Sequence, residues 1–212
     1  MIISYHGVEY VKVQFGDKVL VFNPVSKDSK FGATRFGADI AFISLNHPDM
    51  NGAENVAYGE RKPFVVAGPG EYEIKGIFAE GLAGGESAYG DEKLRNTIYL
   101  VILEGIKICF LGALNTTNLP APGQEVAEGV DILFVPIGGN GVLGSADAYK
   151  VAVSLEPKII IPIHFGELGD KNSLKTFLKE GAAEDEKAEE KLTLKKKDLE
   201  GKEGNIVVLK KV

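Results

Sequence analysis

The run Leu45-Asn46-His47-Pro48-Asp49-Met50 sets an imidazole and a carboxylate two residues apart, directly after the apolar stretch Ile40–Ser44. Neutral imidazole nitrogens and carboxylate oxygens are the donors that hold a divalent cation such as zinc, iron or manganese. The same spacing also has a plain structural reading, in which Asp49 caps the backbone amides that follow and His47 is simply hydrogen-bonded. The chain holds only 3 histidines, His6, His47 and His164. His164 closes the apolar run from Lys158 to Ile163. His6, beside Gly7, reads as a core or surface histidine.

Other chemistries find less support. Gly139-Asn140-Gly141-Val142-Leu143-Gly144 has the spacing of a dinucleotide fingerprint between a strand and a helix. The following strand, however, ends in Pro162-Ile163-His164, with no acidic residue to hold a ribose hydroxyl. A glycine-rich cleft loop accounts for the same residues, because glycine tolerates the positive φ such a turn needs. There is no Gly-x-Ser-x-Gly element, and with so few histidines Ser44 has little prospect of a Ser-His-acid triad. Asp39, Asp49, Glu71 and Glu73 could supply a carboxylate pair, but spacing brings no two of them together. Cys109, inside IKICFLGA, reads as a small core residue.

The elements that must position these groups fall into two halves. The first reads as strands: a hairpin Val8–Phe15 and Lys18–Phe22 across Gly16-Asp17, then Ile40–Ser44, Phe64–Ala67, Glu73–Glu80, Thr97–Leu103 and Lys107–Leu111, punctuated by Gly, Pro and Asn. The second reads as strand Asp131–Pro136, a helix from Ser145 to about Leu155 ended by Pro157, strand Lys158–Pro162 and a helix over Ser173–Glu180. Two short strands, Leu192–Lys195 and Ile206–Leu209, close the chain. Many strands in two groups with helices added late predict an α/β fold, an αββα sandwich of two sheets between helical layers. One domain is expected over residues 1–212, with 182–203 a charged, exposed segment and Ala182–Lys191 a solvated helix or loop.

With 212 residues and 44% hydrophobic content the chain can bury one large core. Its net charge of −6 argues against nucleic-acid and anionic-membrane partners, since the one basic cluster, Lys195–Lys197, is short. A lone cysteine and the lack of a leader or long apolar span suggest a cytoplasmic setting.

Several stretches resemble the metallo-β-lactamase-fold superfamily, in particular its branch similar to L-ascorbate-6-phosphate lactonase. YHGVEYVKVQFGDKVLVFNP resembles that branch's first hairpin, with Asn23-Pro24 where the branch has Asp-Pro. The Leu45–Met50 run aligns with the ligand pattern His-x-His-x-Asp-His. FVVAGPGEYEIKGIFAEG resembles the segment before the third metal histidine, whose position falls among Ala83, Gly84, Gly85 and Glu86. KICFLGALN resembles the strand bearing the bridging Asp and reads Gly112-Ala113. DILFVPIGGNGVLGSADAYKVAVSLEPKIIIPIHFG resembles the closing unit, where His164 keeps a ligand.

The resemblance implies a dinuclear centre in which two cations about 3.5–4 Å apart lower the pKa of a shared water. Leu45, Met50 and Ala113 each remove a ligand, and a thioether does not replace imidazole for zinc. Asn23 in place of Asp would remove a carboxylate that orients a ligand histidine. What remains of the metal set is His47, Asp49 and His164, with Asp49 the candidate catalytic carboxylate. The expectation is a hydrolase-like protein with a degenerate metal site that binds no cofactor and takes a small molecule or protein in the ancestral cleft. The alternative is a metal-dependent hydrolase with a mononuclear site at those three residues.

Overall fold

The computed structural model describes residues 1–32, 34–90, 93–119 and 129–212. Two sheets face each other. The first has the order β12-β1-β2-β3-β4-β5, built from β1 (Ile2–Tyr5), β2 (Val11–Phe15), β3 (Lys18–Phe22), β4 (Ile40–Phe42), β5 (Phe64–Val66) and β12 (Leu192–Thr193). The second has the order β13-β11-β10-β9-β8-β7-β6, from β6 (Gly70–Ile74), β7 (Ile77–Ser87), β8 (Leu94–Leu103), β9 (Ile106–Phe110), β10 (Ile132–Pro136), β11 (Ile159–Ile163) and β13 (Asn205–Ile206).

Side-chain alternation decides which face of each strand turns inward. Val11 and Val13 of β2, with Leu20 and Phe22 of β3, enter the inter-sheet core beside Tyr99, Phe110 and Phe134, while Val19 and Val21 point to the other face. β10 and β11 are buried along their whole length and pair in parallel. Continuous apolar runs suit that position, since such strands are covered on both faces. Their outer cover is the crossover helix α1 (Ser145–Ser154) with α2 (Ser173–Glu180), which pack over Leu133, Val135 and Ile160. The αββα sandwich is the fold observed. Over the first sheet, however, the described residues contribute loops and one 3-10 turn, Ala53–Val56, because the glycine- and serine-rich stretch after Asn23 has no helical period.

The strand expected at Thr97–Leu103 begins at Leu94 and that expected at Ile206–Leu209 is Asn205–Ile206, and three further elements differ. Glu73–Glu80 is two antiparallel strands, because Lys75 (φ 53°) and Gly76 (φ 74°) form a tight turn that pairs Ile74 with Ile77. The first hairpin begins at Val11, since Gly7 and Val8 both take positive φ, and Ile2–Tyr5 forms a separate strand ahead of it. The 182–203 stretch is not exposed throughout. Leu192–Thr193 pairs with β1, and Leu194 and Leu199 are buried in the main core, so its few leucines are anchors among the charges. Ala182–Lys191 itself is turn and coil.

Candidate functional site

The site lies where the loops after β4, β7, β9, β10 and β11 meet. His164 follows β11 at φ 60°, its amide donating to Val8 O at 2.7 Å, and its side chain is fully buried. Nδ1 stands 2.7 Å from Glu9 Oε1. A carboxylate accepts, so Nδ1 carries a proton, and in the neutral imidazole Nε2 is then the acceptor. Nε2 is buried and has no hydrogen-bond partner.

Glu9 is itself fully buried, and its other oxygen accepts from Asn23 Nδ2 at 2.8 Å. Asn23 also donates to Ser44 Oγ at 2.7 Å and accepts from the Ser44 amide at 2.8 Å. This corrects the expectation drawn from Asn23. A carboxylate does orient His164, but it comes from Glu9, and the amide of Asn23 positions that carboxylate.

His47 and Asp49 sit on the opposite wall. The Asp49 amide donates to His47 Nδ1 at 3.2 Å, and the imidazole packs against Gly90, where a Cβ would come 3.3 Å from Nε2. Each oxygen of Asp49 holds a hydroxyl: Ser29 Oγ donates to Oδ1 at 2.5 Å and Tyr89 OH to Oδ2 at 2.6 Å. Burial, and then the Asp49 carboxylate, push the Tyr89 phenol well above its ordinary pKa, so it remains a donor.

Tyr89 fills the space between the two walls. Its ring meets His47 edge-on at 4.9 Å between centroids and His164 edge-on at 5.1 Å. The structure therefore gathers His47, Asp49 and His164 around a phenol. Among the described residues, no group of three or more His, Cys, Asp or Glu side chains is placed to hold a metal ion.

Around Tyr89 the side chains at the substituted positions pack on one another. Leu45, Met50 and Ala113 form a buried apolar cluster with Tyr89 and Val142. The loop at Gly112-Ala113 is held by Asn96, whose Oδ1 accepts from the Ala113 amide at 2.9 Å while Nδ2 donates to Leu111 O. Gly112 takes φ 59°, and a Cβ there would lie 2.5 Å from Ser44 Oγ and Asn96 Oδ1, so only glycine fits.

Glu9, Tyr89 and Asn96 escape sequence reasoning. Glu9 is an isolated acid inside a hairpin signal, although its place among apolar neighbours marks it as a buried carboxylate needing a partner. Tyr89, just beyond β7 and followed by Gly90, carries no pattern. Of the other candidates, His6 is buried against Tyr10 and Phe36, and burial lowers its pKa to about 4. Burial pushes the Cys109 thiol up to about 12, which leaves it unreactive. No helix among the described residues is long and apolar enough to cross a membrane.

The fold and this constellation point to one superfamily. The profile of the beta-lactamase superfamily domain matches residues 2–164, and the chain belongs to that family. A metal-dependent hydrolase of Lysinibacillus sphaericus is 26% identical over 197 residues, covering 78% of this chain and 85% of its own. Another from Bacillus licheniformis is 25% identical with the same coverage. Among solved structures, a protein named as a candidate Zn-dependent hydrolase of the metallo-β-lactamase superfamily from Thermotoga maritima superimposes with a TM-score of 0.76 at 26% identity, covering 98% of this chain and 97% of its own. The metallo hydrolase Igni18 from Ignicoccus hospitalis, at 16% identity and a TM-score of 0.62 with 99% and 94% covered, shares the fold.

Proposed function

We propose that this metallo-β-lactamase-fold protein has exchanged its dinuclear centre for a packed cluster and uses the ancestral cleft to bind a small molecule or protein without hydrolysing it. The observation that carries this reading is the chemistry of the cleft. Leu45, Met50 and Ala113 are buried against Tyr89 and Val142, and neither they nor an aromatic ring can ligate a hard cation. Asp49, the carboxylate beside Tyr89, has both oxygens taken by hydroxyls. These residues do not fit a metal pair, and no hydrolytic step is assigned to one. The net acidity and the buried, unreactive cysteine suit a cytoplasmic protein with neither nucleic-acid nor membrane partners.

One observation favours the alternative, a mononuclear hydrolase at His47, Asp49 and His164, with Asp49 as its catalytic carboxylate. His164 is fixed by Glu9 as a metal-bound histidine is fixed by a carboxylate, with its other nitrogen free. Metal content after purification without chelators decides between them. Less than about a tenth of an equivalent of zinc, iron and manganese together, with ester, lactone and phosphodiester cleavage at the no-protein rate, is the expected result. A stoichiometric metal, with cleavage abolished by chelator, would overturn the proposal.

A further inference from the structure

The ring of Tyr89 sits in the cleft as a bound ligand would. Its hydroxyl is 2.6 Å from Asp49 Oδ2, its edges face two imidazoles, and Leu45, Met50, Ala113 and Val142 form its apolar walls. One polar atom at this site is nevertheless left unmatched. His164 Nε2 is buried with no donor, and an unmade hydrogen bond is costly in a site closed to water. Tyr89 cannot supply that donor, because its single hydroxyl is committed to Asp49. A ring carrying a second donor could serve both acceptors. The Asp49 carboxylate in turn excludes anions such as phosphate esters and carboxylates.

We infer that the volume filled by the Tyr89 ring is a binding site for a small uncharged aromatic with two hydrogen-bond donors, of the dihydroxybenzene kind, and that Tyr89 is the internal occupant it displaces. The inference rests on the reading that the cleft holds no metal. Exchange needs only the side chain to leave. Ser87 Oγ donates to Ala113 O at 2.9 Å and accepts from the Tyr89 amide at 3.2 Å, so the backbone behind the ring stays fastened. Because Tyr89 competes for the same space, affinity in the natural protein is reduced by the fraction of time the ring is out.

The test titrates resorcinol, phenol, toluene and benzoate into protein carrying isotope-labelled histidine, with chelator present. With only 3 histidines the imidazole signals are assignable. Resorcinol is expected to move the His164 signal of the wild-type protein, phenol to bind more weakly, and toluene and benzoate not at all. Tyr89→Ala is expected to bind resorcinol about tenfold or more tightly than wild type, since the competing ring is gone. No shift at His164 in the wild type overturns the inference, whether or not the variant folds. Binding to Tyr89→Ala alone would mark a cavity made by the mutation, and would overturn it too. Either failure leaves the metal-free reading standing. Resorcinol binding that appears only when zinc replaces the chelator would overturn both.

Discussion

The two walls of the cleft solve the same problem in opposite ways. On the side of Leu45, Met50 and Ala113, the side chains are hydrocarbon or thioether and pack into a buried cluster. On the side of His164, a fully polar network persists, running from His164 through Glu9 to Asn23 and Ser44 with every contact between 2.7 and 2.8 Å. The apolar wall is stable through contact area alone. The polar wall is stable only while each member keeps its partner, because a buried acceptor or charge left alone costs far more than a lost surface contact. An apolar contact can thus be exchanged one residue at a time, whereas the network behind His164 cannot.

The largest effect is expected from breaking that network. Glu9→Ala leaves His164 Nδ1–H and one of the two Asn23 Nδ2 protons without an acceptor inside the protein, and at roughly 1–3 kcal/mol for each buried donor should lower the unfolding free energy by roughly 2–6 kcal/mol. The shift in urea midpoint at constant slope measures it. A loss under about 1 kcal/mol would put these contacts on a level with an ordinary exposed hydrogen bond and end the contrast between the two walls.

The apolar wall should respond to volume. Leu45 is 1% exposed, so Leu45→Ala should cost roughly 2–4 kcal/mol, set by how far Met50 and Tyr89 collapse into the gap. Leu45→His sharpens the comparison, since it puts an imidazole where the resemblance implies a ligand. It is expected to destabilise the protein and to show no recovery when zinc is added, because Met50 and Ala113 still cannot ligate. A zinc-dependent rise in melting temperature for Leu45→His would mean that the wall is a metal site lacking one group.

These walls differ in how readily the sequence discloses them. Strand β3 and helix α2 are legible to the residue, and Leu45, Met50 and Ala113 stand out against the ligand pattern that the resemblance implies. Hidden are contacts between residues distant in the chain and carrying no motif. Glu9 reaches His164 across 155 positions, and Tyr89 reaches Asp49 across 40. The Lys75-Gly76 turn escapes for a different reason, since a lysine at positive φ is adopted only because the strands on either side pair. Asn23 shows the limit of position-by-position reading: its replacement suggests a missing carboxylate, and the carboxylate is present on a neighbouring turn.

The smallest effect concerns the hydroxyl of the ring that lies between the two walls. Tyr89→Phe keeps the ring against His47 and His164 and removes only the hydroxyl on Asp49 Oδ2, which lies opposite the oxygen still held by Ser29. With one donor gone and packing unchanged, the expected loss is about 1.5–3 kcal/mol, the range for a hydrogen bond to a charged group. Thermal denaturation of the variant beside Leu45→Ala measures both walls in one experiment. If Tyr89→Phe costs as much as Leu45→Ala, the phenol hydroxyl holds the cleft shut and the polar contact is the principal closure. If it costs the smaller amount predicted, the ring is retained by its apolar neighbours, and the hydroxyl serves mainly to occupy an oxygen that a ligand could otherwise take.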